Sequence, residues 1–209
     1  MYKEIDLNTW NRREIYDYFK TVKTPHYALA ANVDVTRLLE FKRKNHLSFY
    51  LSLIYLATEV LNGIDNFRMR MTNGRPVIYD EIHPDLTHKK ADEEIFHIYY
   101  ARRAKSIEQF VAQTQAAIDR QTTLFAGDDA SPALIHFSCN PAVDATAITN
   151  PGLDDPEDAA PRVNWGKYVN RDGRWIVNIT ITPNHRFIDG YHVGLFFNRL
   201  QQRIDALEV

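Results

Sequence analysis

The clearest pattern of apolar and polar positions lies near the end of the chain. From 175 to 182, Trp175, Val177, Ile179 and Ile181 point one way, and Ile176, Asn178, Thr180 and Thr182 the other. A period of two fits a strand with one strongly apolar face. Pro183, which has no N–H to donate, ends its ladder. Val193, Phe196, Phe197, Leu200 and Ile204 then recur at helical spacing, so an amphipathic helix follows. Between the two lies Asn184-His185-Arg186-Phe187-Ile188-Asp189-Gly190, a strand-to-helix corner loaded with ionisable groups. Side chains at such a corner can face a ligand while rigid elements hold their backbone.

Earlier in the chain, residues 8–20 predict a helix capped by Asn8 or Thr9, with Arg12 and Arg13 inside it and Trp10, Ile15, Tyr16 and Phe19 apolar. Residues 26–34 alternate weakly and read as a strand, followed by a short helix from Val35 to about Lys44. Ser48 caps a well-marked helix to Leu61, ended by Asn62-Gly63. Short strand-like pieces span 67–72, 76–80 and 94–101. Ser106 and Gln109 form a capping-box pattern opening a helix to about Arg120, and Leu134 to Cys139 is another strand. The stretch 149–161, rich in Pro, Gly and Asp, predicts a loop or flap whose acidity favours exposure. With strands and helices mixed throughout, no internal repeat and no dividing linker, the expectation is a single domain over 1–209. Its class is α/β, a two-layer sandwich in which helices pack on one face of a mixed sheet.

Composition narrows the function. The 209 residues carry a formal net charge of −2 with both signs interspersed, which points away from nucleic acid or a membrane surface as the main partner. The start lacks an apolar signal core, and the greasy stretch Phe49 to Leu61 is too short to span a bilayer. Cys139 is the only cysteine, so no intrachain disulfide forms, and a soluble cytoplasmic protein is expected.

The candidate chemistry centres on His185. An imidazole can take a proton from a hydroxyl and return it near neutral pH, although a backbone-bonded turn histidine has the same surroundings in sequence. Asp189 can orient His185 or cap the last helix. Ser138, ending an apolar strand, can donate to a developing oxyanion or be a buried, backbone-bonded serine. Cys139 with His185 would make a thiol nucleophile and base, but no basic partner marks its thiol, and an inert buried cysteine is the plainer reading. The spacings of His185, His192, His88 and His97 are not those of a metal site, and no metal is expected. No glycine-rich phosphate loop or dinucleotide fingerprint is present, which argues against a nucleotide-dependent kinase or a Rossmann-type oxidoreductase.

His185-x-x-x-Asp189-Gly190-Tyr191-His192-Val193-Gly194, followed by Phe196-Phe197-Asn198-Arg199-Leu200-Gln201, resembles the signature of the chloramphenicol acetyltransferase family. The resemblance continues in Asn8-Thr9-Trp10-Asn11-Arg12-Arg13-Glu14, Phe67-Arg68-Met69-Arg70, Ile107-Glu108-Gln109-Phe110, Phe137-Ser138 with Pro141, and Lys167-Tyr168, in order along the chain. His-x-x-x-Asp-Gly is shared with dihydrolipoyl acyltransferases, while the tryptophan–arginine start is more specific. No lipoyl domain or Ala/Pro-rich linker stands before the core in this sequence.

The resemblance implies an acetyl-CoA-dependent O-acetyltransferase. His185 would be the general base, Ser138 the oxyanion donor, and Asp189 and Arg12 a salt-bridged pair that shapes the corner. The imidazole would be oriented by its own backbone carbonyl, Lys167 and Tyr168 would lie at the coenzyme site, and no metal is implied. A homotrimer with active sites at subunit interfaces would act on a small-molecule hydroxyl acceptor, as in antibiotic resistance. Positions matching the acceptor pocket are Phe19, Pro25, Phe96, Ile98, Ile148, Asn150, Arg162 and Asn164. Several depart from the family: Phe19 replaces a tyrosine, Pro25 a cysteine, Ile148 a phenylalanine and Asn164 a threonine, while Asn150 and Arg162 take apolar positions. Asn184 stands where a second histidine is common, and Ala142 where a tryptophan is. Polar groups in an apolar slot cost affinity for an apolar drug. The sequence therefore leaves open an acyltransferase with another acceptor, or a non-catalytic protein of the same fold that sequesters a ligand.

Overall fold

A computed structural model describes residues 1–91, 93–127 and 133–209. Its strands are β1 (Tyr2–Glu4), β2 (Leu29–Asp34), β3 (Met69–Thr72), β4 (Arg75–Tyr79), β5 (His83–His88), β6 (His97–Tyr100), β7 (Phe125–Gly127), β8 (Leu134–Cys139), β9 (Arg162–Trp165), β10 (Val169–Arg171) and β11 (Arg174–Thr182). Its α-helices are α1 (Arg13–Lys20), α2 (Thr36–Lys44), α3 (Phe49–Asn62), α4 (Ile107–Arg120) and α5 (Gly190–Asp205). The large sheet runs β10-β11-β9-β8-β5-β6-β7, with β2 also paired to β11. It is mixed, because β8 is parallel to both β5 and β9, while β2, β9 and β10 are antiparallel to β11. A smaller sheet, β1-β4-β3, stands apart. Asn73-Gly74 and Asp172-Gly173, all at positive φ, close the β3–β4 and β10–β11 hairpins.

Strand register gives the sheet its two characters. Tyr99, Leu86, Phe137, Val163, Ile181 and Leu29 are register partners across six strands. Leu86, Phe137, Val163 and Ile181 are buried in the core, and α3 packs on β5 and β8 while α5 packs on β2. Helix α5 presents Val193, Phe196, Leu200 and Ile204, all buried. Each fully buried aliphatic or aromatic side chain here contributes about 1.5–3 kcal/mol. One residue to either side along the strands, the side chains are polar except for Ile98 and belong to the opposite face. One row is Tyr100, Asp85, His136, Arg162 and Thr182, and the other Ile98, Thr87, Ser138, Asn164 and Thr180. This is the mixed-sheet, two-layer α/β architecture.

Local departures from the sequence expectations have physical causes. Helix α1 begins at Arg13, with Arg12 at its N-cap, because Asp6 organises the preceding segment: its carbonyl accepts from Thr9 and Trp10 and its carboxylate from the Asn8 N–H. The strand expected over 26–34 begins at Leu29, and the piece over 67–72 opens as a 3-10 turn, Asp65–Arg68. The strand expected over 94–101 is limited to His97–Tyr100. Ser106 Oγ caps α4 by accepting from Gln109 N, but Gln109 Oε1 accepts from Lys105 N, so the capping box is half formed. The acidic flap is not exposed throughout. Ala159, Ala160 and Pro161 are buried, since the Asp158 carboxylate turns inward to Arg162.

Candidate active site

His185 lies three residues past the end of β11, after Pro183 and Asn184, and its N–H donates to Pro25 O at 2.8 Å. Phe19 of α1 stacks on the imidazole with centroids 4.0 Å apart and planes 8° from parallel, and Tyr27 lies against it at 4.6 Å. Nδ1 is buried with no hydrogen-bond partner. The expected hold by the ring's own carbonyl is therefore not seen, and flat packing against Phe19 fixes the plane instead. Nε2 is neither bonded nor buried and is the atom presented outward. Phe19 and Pro25, expected in the acceptor pocket, are both in direct contact with His185.

The remainder of the corner is held by Asp189. Its Oδ2 accepts from Arg12 Nη1 at 2.7 Å, and its Oδ1 from Tyr191 N at 3.1 Å, as the N-cap of α5. Both of the roles open to Asp189, cap and ion pair, are thus occupied, and no bond to His185 forms. Burial works against its charge, but Arg12, His192 and the Tyr191 N–H together hold its carboxyl below the usual range. His192 Nδ1 completes the capping box, 3.2 Å from Asp189 N and 2.9 Å from Asp189 Oδ1. Burial, only partly offset by Asp189, pushes the His192 pKa down. Trp10 packs on Tyr16 and Phe187, bringing the start of the chain onto the corner.

Asn184, just before His185, is fully buried. Its Nδ2 donates to Pro156 O and Asp158 O, and its Oδ1 accepts from Arg186 N. His26 also reaches Asp158 O, at 2.7 Å. Asp158 in turn pairs with Arg162 Nη2 at 2.6 Å and sits below the ordinary carboxyl range, Arg162 outweighing the effect of burial. The amide therefore ties the His185 corner to the flap and, through it, to β9.

On the polar face of the sheet lies a cavity of about 360 Å³, within the size range of small-molecule sites. Ser138, Phe96, Ile98, Asn150, Arg162 and Asn164, all singled out in the sequence, line it. Asp85, Thr87 and His136 line it too, and sequence reasoning missed them. Thr87 Oγ1 donates to Ser138 Oγ at 3.0 Å, and Asn150 and Asn164 exchange hydrogen bonds. Ile148 does not line this cavity, and its N–H donates to Thr180 Oγ1. Grooves of similar size exist elsewhere, one of about 400 Å³ lined by Glu59, Val60, Gly63, Arg199, Gln202 and Arg203. That groove lies between α3 and α5 and holds none of the candidate residues. His185 and Ser138 share none of these cavities within one chain.

Of the two residues matched to a coenzyme site, Lys167 is exposed, with its N–H on Val143 O at 2.7 Å. The Tyr168 ring packs against Phe49 and Trp175. Gly166 is required here, because a Cβ would lie 2.4 Å from Val143 O. Burial pushes the Cys139 thiol up to about 12, so it stays protonated at neutral pH and is no nucleophile. Among the described residues, no group of three or more His, Cys, Asp or Glu is arranged to hold a metal ion, and no helix is long and apolar enough to cross a membrane.

A family model described as chloramphenicol acetyltransferase matches residues 1–201. A chloramphenicol acetyltransferase of Escherichia coli is 27% identical over 206 residues, covering 98% of this chain and 94% of its own. Chloramphenicol acetyltransferase 2 of Haemophilus influenzae is 28% identical, covering 99% and 98%. A solved chloramphenicol acetyltransferase structure superposes with a TM-score of 0.89 at 26% identity, covering 98% of this chain and all of the other. A dihydrolipoamide acetyltransferase of Azotobacter vinelandii, at a TM-score of 0.69 and 19% identity over 92% of this chain and 86% of its own, shares the fold.

Proposed function

The chain belongs to the chloramphenicol acetyltransferase family and is an acyltransferase, and from that premise we propose that it transfers acetyl from acetyl-CoA to the hydroxyl of a small molecule, with His185 as general base. The observation that carries the reading is the imidazole stacked flat on Phe19 with Nε2 unbonded and facing outward. Acetyl-CoA supplies an electrophilic thioester carbonyl. His185 Nε2 takes the proton as the acceptor oxygen bonds to that carbon, and the same proton goes to the departing thiol sulfur as the C–S bond breaks. Ser138 Oγ, which accepts from Thr87, keeps its own proton free to donate to the carbonyl oxygen as charge develops there. Asp189 and Arg12 set the corner without touching the reacting atoms. Exposed Lys167 offers a cation for a phosphate of the coenzyme, and Tyr168 beside it extends the same edge.

Base and oxyanion donor share none of the cavities described above, which supports a site completed between subunits of a homotrimer. Exposed Ile95, Phe96, Leu124 and Phe125, in and beside β6 and β7, offer apolar surface for such contacts. On this reading the enzyme is cytoplasmic, and a resistance role follows only if chloramphenicol is turned over. The polar groups that line the cavity, His136, Asn150 and Asn164, favour a second reading of the acceptor, a small alcohol other than chloramphenicol. A thiol-release assay with acetyl-CoA against chloramphenicol and a panel of alcohols tests both. Release with chloramphenicol supports the first and release with other alcohols alone the second. Binding without release would overturn acetyl transfer in favour of a sequestering protein.

A further inference from the structure

We propose that His136, oriented by Asp85, is a specificity-determining residue, and that the acceptor is a neutral polyol whose second hydroxyl donates to His136 Nε2. The proposal deepens the acetyl-transfer reading and rests on it. His136 and Asp85 are register partners on adjacent parallel strands, and Nδ1–H donates to Asp85 Oδ2 at 2.5 Å. That bond fixes the tautomer and leaves Nε2 with a lone pair. The side chain is 36% exposed and lines the cavity, and Nε2 has no bond to another described residue, whereas Asp85 is largely buried. His136 and Ser138 are two residues apart on β8, on the same face. With the thioester carbonyl oxygen on Ser138, an acceptor bonding to that carbonyl carbon lies beside β8, and a hydroxyl further along its chain can reach along the strand toward His136.

The rest of the floor selects the same chemistry. An anion would meet the Asp85 carboxylate, and Arg162, the one Lys or Arg lining the cavity among the described residues, is taken up by Asp158, Gly152 O and Ala160 O. Phe96, Ile98 and Pro151 give the acceptor's carbon skeleton an apolar wall, while His136 Nε2 is a polar atom left for a hydroxyl. The Asn150–Asn164 pair keeps amide hydrogens and lone pairs beyond its mutual bonds, suited to hydroxyls that both donate and accept.

The test compares glycerol and sorbitol with 1-propanol, ethanolamine and chloramphenicol, in the wild-type protein and in His136→Phe, His136→Gln and Asp85→Asn. Two readouts are used: steady-state thiol release, and ligand binding by saturation-transfer NMR without acetyl-CoA. His136→Phe is expected to raise the polyol KM about 10-fold, the scale of one lost hydrogen bond, with kcat changed little and 1-propanol unaffected. His136→Gln, which keeps an acceptor, should recover part of the loss, and Asp85→Asn should fall between them. If His136→Phe fails to fold, the Gln and Asn variants carry the comparison. Equal effects on polyol and 1-propanol, or a wild-type preference for ethanolamine or chloramphenicol, would overturn the proposal while leaving acetyl transfer intact. Polyol binding that requires His136, with no thiol release for any acceptor, would instead overturn acetyl transfer and leave this site standing.

Discussion

The His185 corner and the Asp85–His136 cavity are both polar, yet they treat their polar atoms in opposite ways. The corner buries donors and acceptors without partners: His185 Nδ1, Tyr27 Oη, and nitrogens of Arg12 and Arg186. Among the described residues, the cavity contributes no such atom, because its side chains pair with one another and turn their remaining capacity outward. Each buried unpaired group costs about 1–3 kcal/mol, so the corner is kept at the expense of stability, as reactive sites commonly are. The cavity leaves pairing capacity open, and the corner holds one ring in one plane.

That contrast can be broken by substitution. His185→Ala should lower kcat by at least about 100-fold with thermal unfolding little changed, the scale for a positioned base, and a mild kinetic effect would remove the corner's claim to the chemistry. Ser138→Ala should lower kcat by about 100-fold with KM little changed, as for one lost oxyanion donor. A KM effect alone would make Ser138 part of recognition only. Asp189→Asn should cost about 2–3 kcal/mol by leaving Arg12 without its counter-charge, seen as a lower denaturation midpoint. The folded Asp189 carboxyl lies below its unfolded value, so its contribution is present above about pH 4 and is lost as pH falls through the folded value. The deficit of the variant should therefore shrink in acid, and a constant deficit would sink the ion-pair account. Tyr27→Phe should stabilise slightly, by about 0.5–1 kcal/mol, because a buried unpaired hydroxyl is removed. A loss of stability there would show that the corner is less frustrated than it looks.

The corner was far more legible in the sequence than the cavity, and the reason is physical. Its strand β11 and helix α5 have strong apolar periods, so His185 and Asp189 could be placed between them from pattern alone. Strand β5 was missed because His83-Pro84-Asp85-Leu86-Thr87-His88 turns Asp85 and Thr87 to the cavity and leaves Leu86 as its only apolar side chain. Strands β1, β7, β9 and β10 were missed for their brevity, at three or four residues each. Of the strands lining the cavity, β6 and β8 were legible in the sequence, while β5 and β9 were not, since they place polar side chains where a strand pattern is weakest. His136 is the sharpest case, a histidine within an apolar strand whose role depends on a partner fifty-one residues away. Arg70 was likewise opaque: fully buried, it donates to the carbonyls of Phe67, Met69 and Leu134, and burial pushes its pKa down only to about 10, so it remains charged at neutral pH.

The Asn184 amide has a bearing on any attempt to retarget this enzyme. It grips the backbone at Pro156 and Asp158, and the Asp158 carboxylate grips Arg162 in the cavity wall. Replacing Arg162 to admit a bulkier acceptor would release that carboxylate and slacken the tether one residue from the imidazole. On the proposed reading of the two sites, acceptor range and turnover are geared to each other, and a library that varies the wall should vary positions 156–158 and 184 with it.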